Sequence, residues 1–211
     1  MIEGIGISLK NFYDTANNAK AILESAMDQI KANFIGAMLA EKTKEARETF
    51  NNTMSEIRNS NFDASVAILD EVLANAHKVV EMPVPTDFVS TLEALKSVKH
   101  PTAKEVETVV GAYKNNYFAY RAICDFLKVE EAGIKPVTID DIEECVAEIR
   151  SNLHQCFFSD NVEGYHFMNW MNGTILATYD EIFTAFIEGR FEDAMNADDN
   201  KKAKEDSVVT E

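Results

Sequence analysis

Few residues of this sequence have the types and spacing that catalysis or metal binding requires. The four histidines are scattered along the chain, at His77, His100, His154 and His166. Glu163 and His166 form one Glu-x-x-His pair, whereas a carboxylate-bridged metal site in a helical bundle needs such a pair on each of two helices. Gly4 and Gly6 lack the further glycines and the lysine of a phosphate-binding loop. The pattern therefore predicts no catalytic, cofactor-binding or metal-binding residue, and no cofactor.

The three cysteines fall within apolar helical patterns, which favours buried thiols over reactive ones; they are Cys124, Cys145 and Cys156. An odd, small number of cysteines does not fit a disulfide framework and favours a reducing compartment. The densest group of acidic residues lies between Glu130 and Glu148. It is typical of a solvated helix face, with a divalent-cation site as the less favoured alternative.

An aromatic segment offers a candidate binding surface. Tyr113, Tyr117, Tyr120 and Arg121 fall along nearly one stripe of a predicted helix. Tyr and Arg are favoured in protein interfaces because they bury area and keep a polar end. The same spacing also fits a core helix whose phenol groups reach water at its edge, so both interpretations stay open. Stacking on nucleic-acid bases is disfavoured by the negative charge around the segment.

One long helix, predicted from about residue 8 to residue 59, dominates the first part of the chain. Its apolar and small residues recur in steps of four and three, as in a coiled-coil seam, with a blurred register near Phe34–Leu39. Its candidate contact residues are Phe12, Leu23, Ile30, Phe50 and Ile57. The seam fits either an arm that folds back on its own chain or a coiled coil between subunits.

The rest of the sequence predicts about five further helices and no strand of useful length. Asn59–Asn61 is expected to end the first helix, and Thr102 and Thr138 are expected to cap later ones. The helix that begins after Thr102 is expected to reach about residue 131. The predicted organisation is a long helical arm over residues 1–60, a helical bundle over 61–190 and a disordered acidic tail over 191–211. The predicted fold class is therefore all-α.

Charge narrows the range of partners. The chain carries 20 basic and 36 acidic residues, a formal net charge of −16. Residues 1–60 are nearly neutral, with eight acidic and seven basic residues. The acidic surface beyond them repels phosphate backbones and anionic lipids, so neither nucleic acid nor a membrane is an expected partner. No membrane-spanning run and no signal peptide are recognised, so a cytoplasmic location is expected.

A segment of the type Tyr-Lys-x-Asn-Tyr-x-Ala-x-Arg-Ala follows the long charged helix and a short Leu-rich one. Its matching residues are Tyr113, Lys114, Asn116, Tyr117, Ala119, Arg121 and Ala122. This order of parts, over residues 8–135, resembles uncharacterised helical proteins encoded among the virion-assembly genes of tailed bacteriophages. The region after Pro136 departs from the pattern. The resemblance implies a phage context, in the host cytoplasm or the virion, and a structural or assembly role with no assigned site.

The leading functional hypothesis is a non-enzymatic phage structural or assembly protein, scaffold-like or head-associated, that acts through protein–protein contacts. It is expected to form a homo-oligomer through its N-terminal helix. One alternative, suggested by the net charge of −16, is an acidic inhibitor that imitates DNA and binds a nucleic-acid-binding protein. Another alternative is a helical enzyme with a site near Glu163, His166 and Trp170.

Overall fold

The computed structural model describes residues 1–129, 135–158 and 174–208 of the 211-residue chain. Within these ranges the regular secondary structure is helical and contains no strand, which confirms the all-α prediction. The helices are α1 (Glu3–Asn33), α2 (Gly36–Val80), α3 (Phe88–Ser97), α4 (Ala103–Tyr113), α5 (Tyr117–Leu127), α6 (Ile139–Phe158), α7 (Thr174–Ile187) and α8 (Phe191–Val208).

The first two helices form an antiparallel hairpin. α1 ends where Phe34 is extended (φ −127°, ψ 149°), and α2 begins at Gly36, whose φ is +59°. An L side chain in this left-handed region costs roughly 1–2 kcal/mol, so glycine suits the connection. Gly4 lies so close to Ile68 that a Cβ on Gly4 would be 2.7 Å from the Ile68 Cδ1 atom. Since only two residues join the helices, α2 must run back along α1 to make this contact.

The helix ends in this region differ from the sequence prediction. The single helix predicted over residues 8–59 is interrupted at Phe34–Ile35, and α2 then continues through Asn59–Asn61 to Val80. The Asn61 Nδ2 atom donates to Ile57 O at 2.8 Å, and the Ser65 Oγ atom donates to Asn61 O at 2.9 Å. Because these polar side chains bond to the backbone of their own helix, they do not end it.

The chain divides into two compact units. The hairpin unit comprises Ile2–Leu69 and Glu148–Ile175, and the short-helix unit comprises Met1, Asp70–Ala147 and Leu176–Glu211. These boundaries differ from the predicted ones at residues 60 and 190, because each unit is assembled from segments that are distant in sequence. α2 and α6 each contribute residues to both units, so neither unit corresponds to a set of whole consecutive helices.

The core of the hairpin unit begins at the N-terminal end of the predicted seam. Ile2, directly before α1, and four residues of α1 are buried at steps of three and four; the four are Ile5, Leu9, Phe12 and Ala16. The Phe12 ring contacts Phe157 of α6 edge-to-face, with centroids 5.2 Å apart. Phe157 in turn lies 6.1 Å from the Phe62 ring of α2. The heptad-like seam is therefore already occupied, at this end, by side chains of the same chain.

Two of the three short helices that follow α2 have side-chain N-caps. Thr102 forms the predicted capping box: it accepts from the Glu105 N–H at 3.3 Å, and its own N–H donates to Glu105 Oε2 at 2.7 Å. The Asn116 side chain accepts from the Ala119 N–H at 3.1 Å and caps α5. The helix predicted from Thr102 to about residue 131 is therefore two helices, because Asn116 starts a new one.

The segment predicted as a tail from residue 191 begins with the helix α8. Phe191, Ala194 and Ala197 are buried at a spacing of three, and the Phe191 ring lies 5.5 Å from that of Phe186. These small and aromatic residues anchor the first turns of α8 in the core of the short-helix unit. Residues 209–211 lie outside the described residues.

Candidate interaction surfaces

Residues 17–53, the half of the hairpin around its connection, include no buried residue, and every position in this range is described. We call this segment the distal hairpin. Ile22, Ile35 and Met38 are exposed by 65%, 88% and 55% respectively. Between Lys31 and Glu41 the sequence has no charged side chain. The distal hairpin therefore exposes apolar side chains at its connection, with Ile35 and Met38, and again at Ile22, about 20 Å away along α1.

The predicted seam residues lie in two settings. Phe12 is fully buried in the core of the hairpin unit, whereas Leu23, Ile30, Phe50 and Ile57 are half-buried. Because α1 and α2 form one hairpin, the seam packs within the chain. This is the arrangement in which the arm folds back on its own chain. Two helices cannot enclose a seam on all sides, so its distal residues keep part of their surface in solvent. A coiled coil between subunits stays a prediction.

The distal hairpin has no net charge. Residues 17–53 contain five acidic and five basic residues, while the whole chain has a net charge of −16. Some opposite charges pair along α2, where the Lys42 Nζ lies 2.7 Å from Glu45 Oε2 and the Lys44 Nζ lies 3.7 Å from Glu48 Oε1. Such exposed pairs contribute little to stability, because water and salt screen them. Their main consequence is a surface that another acidic protein can approach without net repulsion.

The predicted aromatic stripe lies mainly in the core of the short-helix unit. Tyr113, Tyr117 and Tyr120 are only 7%, 6% and 8% exposed. The Tyr113 hydroxyl donates to Asp87 Oδ2 at 2.8 Å, which ties the end of α4 to the start of α3. The core interpretation therefore accounts for the three tyrosines. Arg121 is half-buried and lines a surface pocket, so it is the member of the stripe that remains accessible.

Two further contacts explain why these tyrosines are held in place. The Tyr117 hydroxyl accepts from the Ile139 N–H at 3.3 Å, next to the start of α6. The Tyr120 ring lies 5.4 Å from Phe191, and burial raises the pKa of the Tyr120 hydroxyl above its ordinary value. A phenol in this setting stays protonated and does not act as a base at neutral pH.

A second candidate surface lies between α3 and α4. The two helices are antiparallel, because Phe88 at the start of α3 contacts Tyr113 at the end of α4, with centroids 5.1 Å apart. Near their connection they form an open groove of about 510 Å³. The groove is lined by Thr91, Ala94, Leu95, Val98, Thr102, Lys104, Glu105, Thr108 and Val109.

Groups with catalytic potential are dispersed or buried in the described part of the chain. No cluster of three or more His, Cys, Asp or Glu side chains there is arranged to hold a metal ion. Burial raises the pKa of the Cys156 thiol to about 12, so this thiol is protonated and a poor nucleophile at neutral pH. The candidate enzyme site at Glu163, His166 and Trp170 lies outside the described residues.

In comparisons with known proteins, the chain matches no family model, curated protein or solved structure. Among the described helices, none combines the length and the hydropathy needed to cross a bilayer. The fold and its surfaces thus define an all-α protein with two candidate contact surfaces, the distal hairpin and the groove between α3 and α4.

Sequence reasoning placed a contact seam with Leu23, Ile30 and Phe50 on the N-terminal helix, but it singled out neither the exposed apolar residues of the distal hairpin nor the groove. Ile22, Ile35 and Met38 lie beside the seam residues in sequence, and their exposure depends on which face of each helix the other one covers. The uncharged stretch between Lys31 and Glu41 was the feature of the sequence that could have indicated the distal hairpin as a contact surface. The groove had no comparable signal, because its lining depends on how α3 pairs with α4.

Proposed function

We propose that this protein is non-enzymatic and acts through protein–protein contacts, forming a homo-oligomer through the distal hairpin. The proposal is carried by the exposure of Ile22, Ile35 and Met38 on a segment with no buried residue. Charge supports the same segment, because two copies of a chain with a net charge of −16 repel each other wherever their acidic surfaces meet. The distal hairpin is neutral, so copies that meet there avoid this repulsion.

The geometry of a helical hairpin also supports pairing with a second one. Leu23, Ile30 and Phe50 are half-buried in the described part of the chain, so each keeps surface that a further helix could cover. A second hairpin laid against them would make a four-helix bundle, in which helices cross at about 20° and the seam is enclosed. Each of the two helical segments of the distal hairpin is about 25 Å long at 1.5 Å per residue. This length is enough for several layers of side-chain contact.

For the biological setting we propose a scaffold-like or head-associated role in phage virion assembly, in the host cytoplasm or the virion. The support is the resemblance carried by residues 113–122 and by the order of the helices before them. An assembly protein requires self-association and no turnover, and the distal hairpin is suited to self-association.

The acidic-inhibitor alternative depends on a different part of the chain. Residues 61–211 contain 28 acidic and 13 basic residues, a net charge of −15. A surface of this kind attracts basic nucleic-acid-binding proteins, and such binding weakens strongly as salt rises. An apolar contact persists at high salt. Binding measured at low and high salt therefore separates the two functions.

A pair of matched substitutions tests the proposed oligomer. Ile22 and Ile7 both lie in α1 and are 65% and 56% exposed, but Ile7 lies outside the distal hairpin. Ile22→Lys places a charge on the proposed contact, so we expect sedimentation velocity to shift toward the monomer. Ile7→Lys should sediment like the unmodified chain, and circular dichroism should report the same helix content for both. Equal effects of the two variants, or no effect of Ile22→Lys combined with Met38→Lys, would overturn the proposal.

A further inference from the structure

The two faces of the distal hairpin are defined by their positions relative to the seam. The seam between α1 and α2 is marked by half-buried residues, which include Leu23, Ile30, Leu39 and Phe50. Antiparallel helices are related by a two-fold axis perpendicular to their common plane. Since successive residues turn by about 100°, the residues that directly precede a seam residue lie on the same face in both helices. We call it the Ile22 face, and its exposed members include Ile22, Gln29, Met38 and Thr49.

The Ile22 face differs from the opposite face in charge. Each charged residue that α1 contributes to the distal hairpin directly follows a half-buried residue, and therefore lies on the opposite face; these are Lys20, Glu24, Asp28 and Lys31. The Ile22 face of α1 is thus uncharged. On α2 this face includes Lys42 and Glu45, whose Nζ and Oε2 atoms are 2.7 Å apart, so the two charges compensate each other.

The composition of the Ile22 face suits a second copy of this chain. In a two-fold interface a surface meets itself, so an uncompensated charge near the axis meets its own like charge. Ile22 and Met38, which are 65% and 55% exposed, supply apolar area to both copies. Gln29 and Thr49 have side chains that both donate and accept hydrogen bonds, so they can bond to the same types of group on another copy.

The charge of the rest of the chain favours one direction of pairing. Residues 61–211 have a net charge of −15, and α2 carries the chain toward them, away from the connection at Phe34–Ile35. In a parallel pair, residue 61 of both copies lies at the same end of the contact. In an antiparallel pair centred on the middle of the distal hairpin, near residues 26 and 44, these positions are roughly 50 Å apart. That separation is several times the Debye length of about 8 Å, so salt screens the repulsion between them.

Antiparallel pairing also distinguishes the two faces. The charges that α1 carries on the opposite face run plus, minus, minus, plus along the helix, an order that reads the same in both directions. An antiparallel pair on that face would set lysine opposite lysine and carboxylate opposite carboxylate, which is repulsive. On the Ile22 face, the same pairing sets Lys42 of one copy opposite Glu45 of the other, which is attractive.

We propose that the second copy binds to the Ile22 face in the antiparallel direction, related to the first by a two-fold axis. This inference rests on the proposed self-association and adds its face and its direction. Ile35 and Met38 at the connection lie about 20 Å from Ile22 along the hairpin. The antiparallel overlap brings the connection of each copy beside Ile22 of the other, so one contact covers both exposed apolar sites of each copy.

Dipolar electron paramagnetic resonance measures the direction of pairing in the full chain. Ser60→Cys places a nitroxide label at an exposed position of α2 beyond the distal hairpin. The three native cysteines are buried, so the unmodified chain treated with the label is the blank. We expect a distance of roughly 50 Å between the labels of two copies. Parallel copies would bring the labels within about 25 Å, since packed helices lie about 8–10 Å apart.

Two double variants with the same charge change locate the face. Ser25→Glu with Gln29→Glu adds two carboxylates to the Ile22 face of α1, and should weaken association at least about tenfold in sedimentation velocity. The control, Ala40→Glu with Asn51→Glu, adds two carboxylates at exposed positions that directly follow seam residues of α2. It should associate within about twofold of the unmodified chain. Circular dichroism should report the same helix content for both variants.

The outcomes separate this inference from the proposed function. A mass of two chains with a label distance within about 25 Å would overturn the antiparallel direction and leave the self-association standing. Equal weakening in both double variants, or none in the variant of the Ile22 face, would overturn the assignment of the face. A single-chain mass for the unmodified protein would overturn the self-association itself, and this arrangement with it.

Discussion

The distal hairpin and the three helices α3, α4 and α5 achieve helical structure by different means. The distal hairpin belongs to helices of 31 and 45 residues and has no buried residue between positions 17 and 53. α3, α4 and α5 have 10, 11 and 11 residues. Isolated helices shorter than about 12–15 residues are marginal in water, so the short helices depend on caps and tertiary contacts. Length allows the distal hairpin to keep apolar side chains exposed without a loss of helical structure.

The short helices obtain their tertiary contacts from a compact cluster. Its buried members are Phe88, Leu92, Tyr113, Ala119 and Ile123. Each of the three helices contributes at least one of these residues, so loss of one contact affects the others. We therefore expect stability to be sensitive to substitution in this cluster and in the buried end of the hairpin, and insensitive to it in the distal hairpin.

The largest expected effect contrasts the two ends of α1. Phe12→Ala leaves a cavity at a fully buried ring and should lower the free energy of unfolding by about 3–5 kcal/mol. Ile22→Ala, at a residue that is 65% exposed, should change it by less than about 0.5 kcal/mol while weakening self-association. Urea titration of dilute protein measures both values. Comparable losses in the two variants would mean that the distal hairpin is part of the folded core.

A smaller effect is expected at the hydrogen bond between α3 and α4. Tyr113→Phe removes a donor that lies 2.8 Å from the Asp87 carboxylate, and should lower the free energy of unfolding by about 1–2 kcal/mol. A double-mutant cycle with Asp87→Ala, which removes the acceptor, measures the coupling between the two side chains. Additive effects would show that this bond does not stabilise the short helices.

Substitution by alanine should change the stability of the protein in opposite directions at Gly36 and at Gly111. Gly36→Ala puts a side chain at φ +59° and should destabilise the hairpin by about 1–2 kcal/mol. Gly111→Ala, in a helix with no atom within 4 Å of the added Cβ, should stabilise the protein by about 0.5–1 kcal/mol. Thermal unfolding measures whether the melting temperature of each variant is higher or lower than that of the unmodified chain. A higher melting temperature for Gly36→Ala would count against the turn at that residue.

The smallest effect concerns the acid stability of α6. Burial acts to raise the pKa of the Asp141 carboxyl, but hydrogen bonds from Lys135 and Thr138 together lower it below its ordinary value. Because the folded pKa is the lower one, this stabilisation is complete well above the unfolded pKa of about 4 and is lost as pH falls through the folded pKa.

Asp141→Asn should therefore lower the free energy of unfolding at pH 7 by less than about 1 kcal/mol, since asparagine keeps a capping oxygen. The difference from the unmodified chain should shrink as the pH falls below about 4 and disappear below the folded pKa of Asp141. Asp140→Asn, in the same turn but exposed, is the control and should show a smaller change with pH. Identical pH profiles for the two variants would exclude this role of Asp141.

Local sequence signals predicted the helical class and several caps correctly. Thr102 with Glu105, and Thr138 before α6, are recognisable because each cap depends on residues only three positions apart. Helix ends that depend on backbone conformation were harder to predict from the sequence. The interruption at Phe34–Ile35 follows from one glycine with positive φ, and the continuation through Asn61 follows from a side chain that bonds to its own helix.

The contact surfaces were less predictable than the fold class. A heptad-like pattern indicates that a seam must be covered, and it fits a neighbour in the same chain as well as one in another. Tyr113, Tyr117 and Tyr120 are residues of a type that suits interfaces. Their burial nevertheless depends on α3, on the start of α6 and on α8, which no local pattern connects. Exposed Ile35 and the α3–α4 groove emerge only once these pairings are known.

The mass of the unmodified chain in solution tests the central claim most directly. Light scattering over a dilution series should give a multiple of the single-chain mass of 23.6 kDa, falling toward that value on dilution and holding at high salt. Such a result is expected if neutral, apolar hairpins associate. A mass of one chain at every concentration and salt condition would contradict the account.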